Sequence, residues 1–263
     1  MIERTIEIDH AGAVATVWMN RPALHNALHE AMIDEITESF RTLAENPSVR
    51  IIVLSGRGKS FSAGADIESM KRQGAAPISA NLANARQLAE MFRTIAESPK
   101  PTIARVNGAA IGGGLGLVAA CDIAIASSAA VFAASEVRLG LIPSTIAPYV
   151  VRAIGPRQAG RLFQTAERIP AAQAEKIGLL HEIADPDQLD TRLQGLIRYL
   201  LAGAPHAQTA AKNLIGAVAN QPVTQELIEN TAQRIATIRS EPEAREGLSA
   251  FLEKRPAKWV PQE

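Results

Sequence analysis

The sequence predicts an α/β body followed by a helical tail, and three observations carry that prediction. From Thr5 to about Pro186, apolar runs of strand length alternate with segments whose apolar residues recur every three or four positions. Beyond Pro186 the strand-like runs stop and the helical period continues alone. The 263 residues, 47% hydrophobic and 21% charged, are enough for one large buried core with an appendage.

Taken in order, Thr5 to Met19 alternates as two short strands, with Ile6 and Ile8 on one face of the first, a turn at Gly12, and Val14, Thr16 and Trp18 on one face of the second. Asn20-Arg21-Pro22 breaks the pattern. Leu28, Met32, Ile36, Phe40 and Leu43 mark an amphipathic helix that Asn46-Pro47 ends. Ile51 to Leu54 reads as a strand buried on both faces, and Ser55 to Asp66 as a polar, glycine-bearing loop. A second helix is expected over Ile78 to Ile95, then a strand over Thr102 to Val106 closed by Asn107-Gly108. A glycine-rich helix start at Gly112 to Gly116 follows, with strands at Ile123 to Ala126 and Val131 to Ala133 and a Gly/Pro-punctuated stretch to Pro148. In the tail, Pro205, Pro222 and Pro242 are expected at helix starts.

Charge excludes several partners. Twenty-seven basic residues balance twenty-seven acidic ones, so nothing in the bulk draws the chain to nucleic acid or an anionic membrane. Six Phe, two Trp and two Tyr give little material for base stacking. The single cysteine, Cys121, excludes an intrachain disulfide and a Cys-based zinc site and is read as a small core residue. The opening MIERTIEIDH carries no apolar leader core, and no apolar run reaches the ~18 residues of a membrane span, so a cytoplasmic protein is expected.

Most motif-like clusters fail on spacing. Gly58-Lys59-Ser60 lacks the P-loop glycine, because Val53 holds its position, and Leu117 stands where a dinucleotide-binding fingerprint starting at Gly112 needs its last glycine. His25 and His29 have no third ligand, so they are read as capping or solvent-facing, and no metal site is expected. No serine sits in a nucleophile elbow.

Three features survive. Phe61-Ser62-Ala63-Gly64-Ala65-Asp66 and Gly112-Gly113-Gly114 each place small residues and backbone N–H groups at a helix start after a strand, where a developing oxyanion is favoured. Close helix packing is the competing explanation for the small residues. Glu136 is the only acid between Asp122 and Glu167 and lies in an apolar run. Such a carboxylate either finds a partner, with Arg138 nearest, or is desolvated and serves as an acid/base group.

Together with Asn26-Ala27-Leu28 after Asn20-Arg21-Pro22, Ile67, Asn107-Gly108, Cys121-Asp122-Ile123, Leu139-Gly140 after Ser135-Glu136, and Ala250-Phe251-Leu252-Glu253-Lys254-Arg255, these segments resemble the enoyl-CoA hydratase/isomerase, or crotonase, superfamily over nearly the whole length. The resemblance implies a spiral of ββα units with the acyl-CoA site in residues 1–190 and a C-terminal helical trimerisation region in residues 191–263, assembled as a homotrimer or homohexamer. It implies that the backbone N–H groups of Ala65 and Gly113 grip the thioester oxygen of an acyl-CoA, and that Ala63, Gly64, Ala65, Asp66, Ile67 and Glu68 contact adenine and the pantetheine arm. Phe251 and Lys254 resemble tail residues that reach CoA across a subunit boundary. Coenzyme A enters as part of the substrate, and no further cofactor, nucleic acid or membrane is implied. Ala23 replaces a basic residue frequent after the Arg-Pro pair, which leaves phosphate recognition to Arg21 or the tail.

Typical hydratases carry two glutamates twenty positions apart; here the later is Glu136 and the earlier position is Gly116. Ser144-Thr145-Ile146-Ala147-Pro148-Tyr149 replaces a glycine-rich loop, a pattern that resembles hydratases of branched, carboxylated enoyl-CoA esters of the methylglutaconyl-CoA or isohexenylglutaconyl-CoA kind, in leucine and isoprenoid breakdown. The implied reaction is reversible hydration of a 2-enoyl-CoA by Glu136, with Glu68 or a substrate carboxylate as a second acid. The alternatives are a Δ3,Δ2-enoyl-CoA isomerase using Glu136 alone and a catalytically weak binding or scaffold protein. Lys71, Arg72 and Arg138 are candidate partners of a substrate carboxylate, against their use as solvated or ion-paired surface charges.

Overall fold

A computed structural model describes residues 4–261 of the chain; the opening of the MIERTIEIDH segment lies outside the described residues. The chain divides into two compact units. One runs to Ser98 and from Thr102 to Gln194; the other takes Pro99–Pro101 and the chain from Gly195 onward.

The first unit opens with the antiparallel hairpin β1 (Ile6–Ala11) and β2 (Val14–Met19), turned at Gly12 with φ 57°. Helix α1 (Glu30–Glu45) buries Met32, Ile36, Phe40 and Leu43 on one side, as its apolar spacing requires. All six residues of β3 (Ile51–Gly56) are buried, which matches a β-branched run flanked by strands on both edges. Next come β4 (Ser60–Ser62), α2 (Ile67–Gly74), α3 (Ile78–Ala96), β5 (Thr102–Val106), β6 (Ala109–Ile111) and α4 (Gly113–Ala120). Then follow β7 (Ile123–Ser127), β8 (Val131–Ala133), α5 (Ala147–Thr165), β9 (Ile169–Pro170), α6 (Ala171–Lys176) and β10 (Glu182–Ala184).

Two sheets result, ordered β1-β2-β3-β5-β7-β10 and β4-β6-β8-β9. Each of β3, β5 and β7 enters the large sheet, and the short strand after it enters the small one before the chain turns to helix. This repeat is the ββα spiral. The parallel neighbours β2, β3, β5 and β7 require crossover connections, in which α1, α3 and α4 lie.

The expected loop Ser55 to Asp66 is corrected: it contains β4, and the Asn107-Gly108 turn leads straight into β6. Both strands are three residues long, too short for a period to register.

The second unit holds the end of α7 (Leu189–Ala202) with α8 (Pro205–Val218), α9 (Gln225–Ser240) and α10 (Pro242–Leu252). Pro205 and Pro242 are first helical residues, where a missing N–H costs nothing. Pro222 is not: α9 begins after Thr224, whose side chain caps it by accepting from the Leu227 N–H at 3.2 Å. Glu243 accepts from the N–H groups of His206 and Ala207, satisfying the first turn of α8. Neither α8 nor α9 buries a residue, and Ile215, Val223, Phe251 and Leu252 stand exposed.

Candidate active site

The site is built on one loop clamp and one helix start. Asn26, with φ 54° and no exposed surface, donates from Nδ2 to the carbonyls of Arg57 (2.9 Å), Ser60 (2.8 Å) and Phe61 (3.2 Å) and accepts the Arg21 N–H at 2.9 Å. This fixes the segment after β2 against β4. Leu28 then forms a parallel bridge with the next loop, its N–H donating to Gly64 O (2.7 Å) and its carbonyl accepting from Asp66 N (2.8 Å). The Ala65 N–H lies between those two bonds and, by the alternation of an extended strand, faces away from Leu28.

Gly64 occupies the left-handed region at φ 87°, and a Cβ there would stand 2.6 Å from Ile111 O and 3.4 Å from Gly113 N. The two loops thus touch at the start of α4. Gly113 is the first residue of that helix, so its N–H has no partner within it. Ala65 and Gly113 therefore bring two main-chain donors together, one from each glycine segment. Close packing, the competing reading of the small residues, also operates: a Cβ on Gly114 would collide with Ser62 O.

Glu136 opens a short 3-10 turn, Glu136–Leu139, after β8. A Cβ on Gly112 would stand 3.2 Å from its Oε1, which places the carboxyl beside the start of α4. Oε2 is buried without a hydrogen-bond partner among the described residues. Burial pushes this carboxyl above the ordinary glutamate range, and its own backbone N–H offsets that only in part. Of the two sequence readings, desolvation holds; Arg138 is exposed and forms no pair with Glu136.

The second carboxylate position is closed. Gly116 is buried, and a Cβ there would overlap Ile146 Cγ2 and stand 2.9 Å from both Ile146 Cβ and Phe92 Cε1. Sequence reasoning noted the missing acid but not these two side chains, which come from distant segments and carry no shared spacing. Tyr149 packs its ring 5.8 Å from Phe92, and its hydroxyl is pushed up by burial and by Glu97.

Several charged residues are already committed. Arg21 donates through Nη1 to Ala27 O (2.5 Å) and to Asp66 Oδ2 (3.0 Å), tying it to the same loop clamp. Asp66 caps α2 by accepting from Glu68 N (3.0 Å) and Ser69 N (3.2 Å). Burial opposes its ionisation but is outweighed by the Ser69 N–H, Arg21 and the Glu68 N–H, so its carboxyl stays below the usual range. Glu68, the candidate second acid, is 71% exposed against Lys71 at 2.8 Å. Arg72 pairs with Glu30 at 2.9 Å. Lys71 and Arg72 are thus the ion-paired surface charges of the alternative reading.

Ala63, Ala65 and Ile67 are exposed beside the donors, while Gly64 and Asp66 are buried. Phe251 and Lys254 lie in the second unit, both exposed. His29 caps α1 by accepting from Met32 N, His25 meets Ser60 Oγ at 3.0 Å, and Cys121 is buried at the end of α4. Among the described residues no cluster of three His, Cys, Asp or Glu could hold a metal, and no helix is long and apolar enough to cross a membrane.

Known proteins resemble this chain over nearly its whole length. Crotonyl-CoA hydratase of Syntrophomonas wolfei is 32% identical over 269 aligned residues, spanning 99% of this chain and 99% of that protein. The crystal structure of an enoyl-CoA hydratase from Shewanella pealeana superposes with a TM-score of 0.94 at 41% identity, covering 97% of this chain and 96% of that one. An enoyl-CoA hydratase/isomerase from Marinobacter aquaeolei gives 0.92 at 33% identity, covering 98% and 99%. A family model described as enoyl-CoA hydratase/isomerase matches residues 9–262, and the chain belongs to that family of enzymes.

Proposed function

We propose that the enzyme adds water reversibly to a 2-enoyl-CoA, with Glu136 as its only catalytic carboxyl. The observation that carries this is the half-buried Glu136, one oxygen beside Gly112 and the other without a partner, next to the free N–H of Gly113. The Ala65 and Gly113 N–H groups would hold the thioester oxygen as it gains charge, a term worth ~3 kcal/mol or more per donor. The ionised Glu136 would orient a water and take its proton as the oxygen bonds to Cβ. The enolate would then collapse, and the same carboxyl would return that proton to Cα. Its raised pKa suits both halves of the step, since base strength and proton donation are balanced nearer neutral pH.

We assign CoA contacts to the Ala63–Glu68 segment, chiefly its backbone and exposed faces, and to Phe251 and Lys254 of the tail. Exposed apolar residues on the tail helices support a homotrimer or homohexamer in which a second copy covers them. The Ser144–Tyr149 loop supports a branched or carboxylated acyl group, such as that of 3-methylglutaconyl-CoA. The closed Gly116 position favours a second reading, Δ3,Δ2-enoyl-CoA isomerisation, because a proton shuttle needs one carboxyl only.

Glu136→Gln tests the assignment. Hydration of crotonyl-CoA and 3-methylglutaconyl-CoA should fall by about 10²–10⁴. Wild-type rates in that variant would remove Glu136 from the mechanism. In labelled water, oxygen appears in a hydration product and not in an isomerisation product, which separates the two readings.

A further inference from the structure

We infer that the Ser135 hydroxyl holds the attacking water beside Glu136, accepting the O–H that Glu136 does not take. The inference rests on the hydratase reading and names the second polar group of that step.

Two adjacent residues bring their oxygens to one place. Gly112 precedes α4 at φ 52°, and a Cβ there would stand 3.2 Å from Glu136 Oε1 and 3.7 Å from Ser135 Oγ. The two oxygens therefore lie within about 7 Å of each other, around a point that glycine leaves without a side chain. A water bonded to both needs them about 4–5.5 Å apart, a separation inside that limit. Consecutive residues of a strand point to opposite faces; Ser135 departs from that alternation because its backbone is helical, at φ −88° and ψ −4°.

Main-chain bonds pin the arrangement. The Gly112 N–H donates to Ala133 O (2.8 Å), the Arg138 N–H to Ser135 O (3.1 Å) and the Leu141 N–H to Glu136 O (3.1 Å). Both side chains are left over. Glu136 Oε2 is buried without a partner, and the Ser135 hydroxyl makes no cap bond to the turn it precedes and no other hydrogen bond among the described residues. Ser135 is half-buried, and its hydroxyl, unlike Glu136 Oε2, is not sealed from solvent.

The neighbouring turn of α4 is why the water needs this hydroxyl. The Gly116 N–H donates to Gly112 O at 3.1 Å, so Gly116 lies one turn along the helix, and there Ile146 and Phe92 fill the space with carbon. A water that gives one O–H to Glu136 finds no acceptor on that side for the other, and an unpaired O–H in a closed site costs free energy. Ser135 Oγ supplies the acceptor. As the water oxygen bonds to Cβ, one of its protons passes to the Glu136 carboxylate and the alkene electron pair moves to Cα. Glu136 then returns that proton to Cα. The O–H held by Ser135 remains on the product as its hydroxyl, and Ser135 keeps its own proton throughout.

Two reactions of the intact protein separate this role from general support of the site. Hydration of crotonyl-CoA and 3-methylglutaconyl-CoA requires attack by water. Exchange of the Cα hydrogens of butyryl-CoA in heavy water, read by mass spectrometry, requires Glu136 and the backbone donors but no attack. Ser135→Ala removes the hydroxyl, and Ser135→Cys keeps its shape with a weakly bonding thiol. Each should lower kcat for hydration about tenfold or more, with KM and the exchange rate both within about twofold of wild type. Glu136→Gln should lose both reactions. Wild-type hydration in both Ser135 variants overturns the inference, as does an equal loss of hydration and exchange, which marks a structural role. A wild type that exchanges butyryl-CoA but hydrates neither ester overturns the hydratase reading and this inference with it, so the two failures are distinct.

Discussion

Gly116→Ala offers a test in which two physical effects have opposite signs. In a helix, replacing glycine by alanine favours the folded state by about 1 kcal/mol through chain entropy alone. At Gly116 the added methyl would overlap Ile146 Cγ2 and stand 2.9 Å from Ile146 Cβ and Phe92 Cε1, roughly 0.6–1.1 Å inside the usual carbon separation. Both neighbours are core side chains, 2% and 0% exposed, and Ile146 Cβ sits next to the main chain rather than at a flexible tip. Overpacking of this kind costs about 1–3 kcal/mol, here toward the upper end, so the net expectation is a destabilisation of about 1–2 kcal/mol. For a chain of this size the midpoint of thermal unfolding should drop by roughly 2–8 °C. Ile146→Ala alone opens a void and costs about 2–5 kcal/mol, but the new methyl partly fills that void in the double variant. The two losses should therefore fall short of their sum by about 1–2 kcal/mol. Urea unfolding at one fixed protein concentration measures all four proteins. A single variant stabilised by about 1 kcal/mol, or losses that simply add, would show that the Gly116 position is open and that the missing carboxylate is not explained by Ile146 and Phe92.

Further expectations concern the two carboxyls of the site. Hydration by the ionised Glu136 should lose kcat/KM on the acid side through a pKa above the ordinary glutamate value, and Glu136→Gln should remove that limb from its residual rate. The same raised pKa means that the folded state holds its proton more tightly than the unfolded one. Stability from this group is full below the unfolded pKa and is lost as pH rises through the folded one, so Glu136→Gln should be more stable than wild type at pH 7 with the advantage gone in acid. Asp66 has the opposite sign, since its folded pKa is lowered: Asp66→Asn keeps a capping oxygen but loses the Arg21 pair, at about 1–3 kcal/mol near neutrality. That difference should shrink as pH falls through the depressed pKa, and a constant difference down to acid pH would argue against the ion pair.

Much of the fold was legible because long periodic segments leave little choice. Ile51 to Leu54 had to be a doubly covered strand, and the Met32 to Leu43 stripe had to be one face of a helix, whereas Leu28, expected on the same face, lies before the His29 cap and bridges to Ala65. The small sheet was not legible, since β4 and β6 hold three residues each and exist through their place beside the large sheet. In the site, Glu136 stood out because a carboxylate amid alanines is a chemical anomaly in any window of sequence. Arg21 was legible only in part: its charge is visible in the sequence, but its pairing with Asp66, 45 positions away, is not. Ile146 was invisible for a related reason, because an ordinary apolar residue acquires meaning only from what the fold places against it.

The two donors that the proposed mechanism turns on the thioester belong to the main chain of Ala65 and Gly113, held by the Leu28 bonds to Gly64 and Asp66 and by the close approach of Gly64 to Gly113. A main-chain N–H has no codon of its own. On that reading, side-chain substitutions in the Ile142–Tyr149 loop would alter the acyl end of the site while both donors stay in place. Directed libraries confined to that loop should therefore sample new substrates while the proposed oxyanion hole is kept.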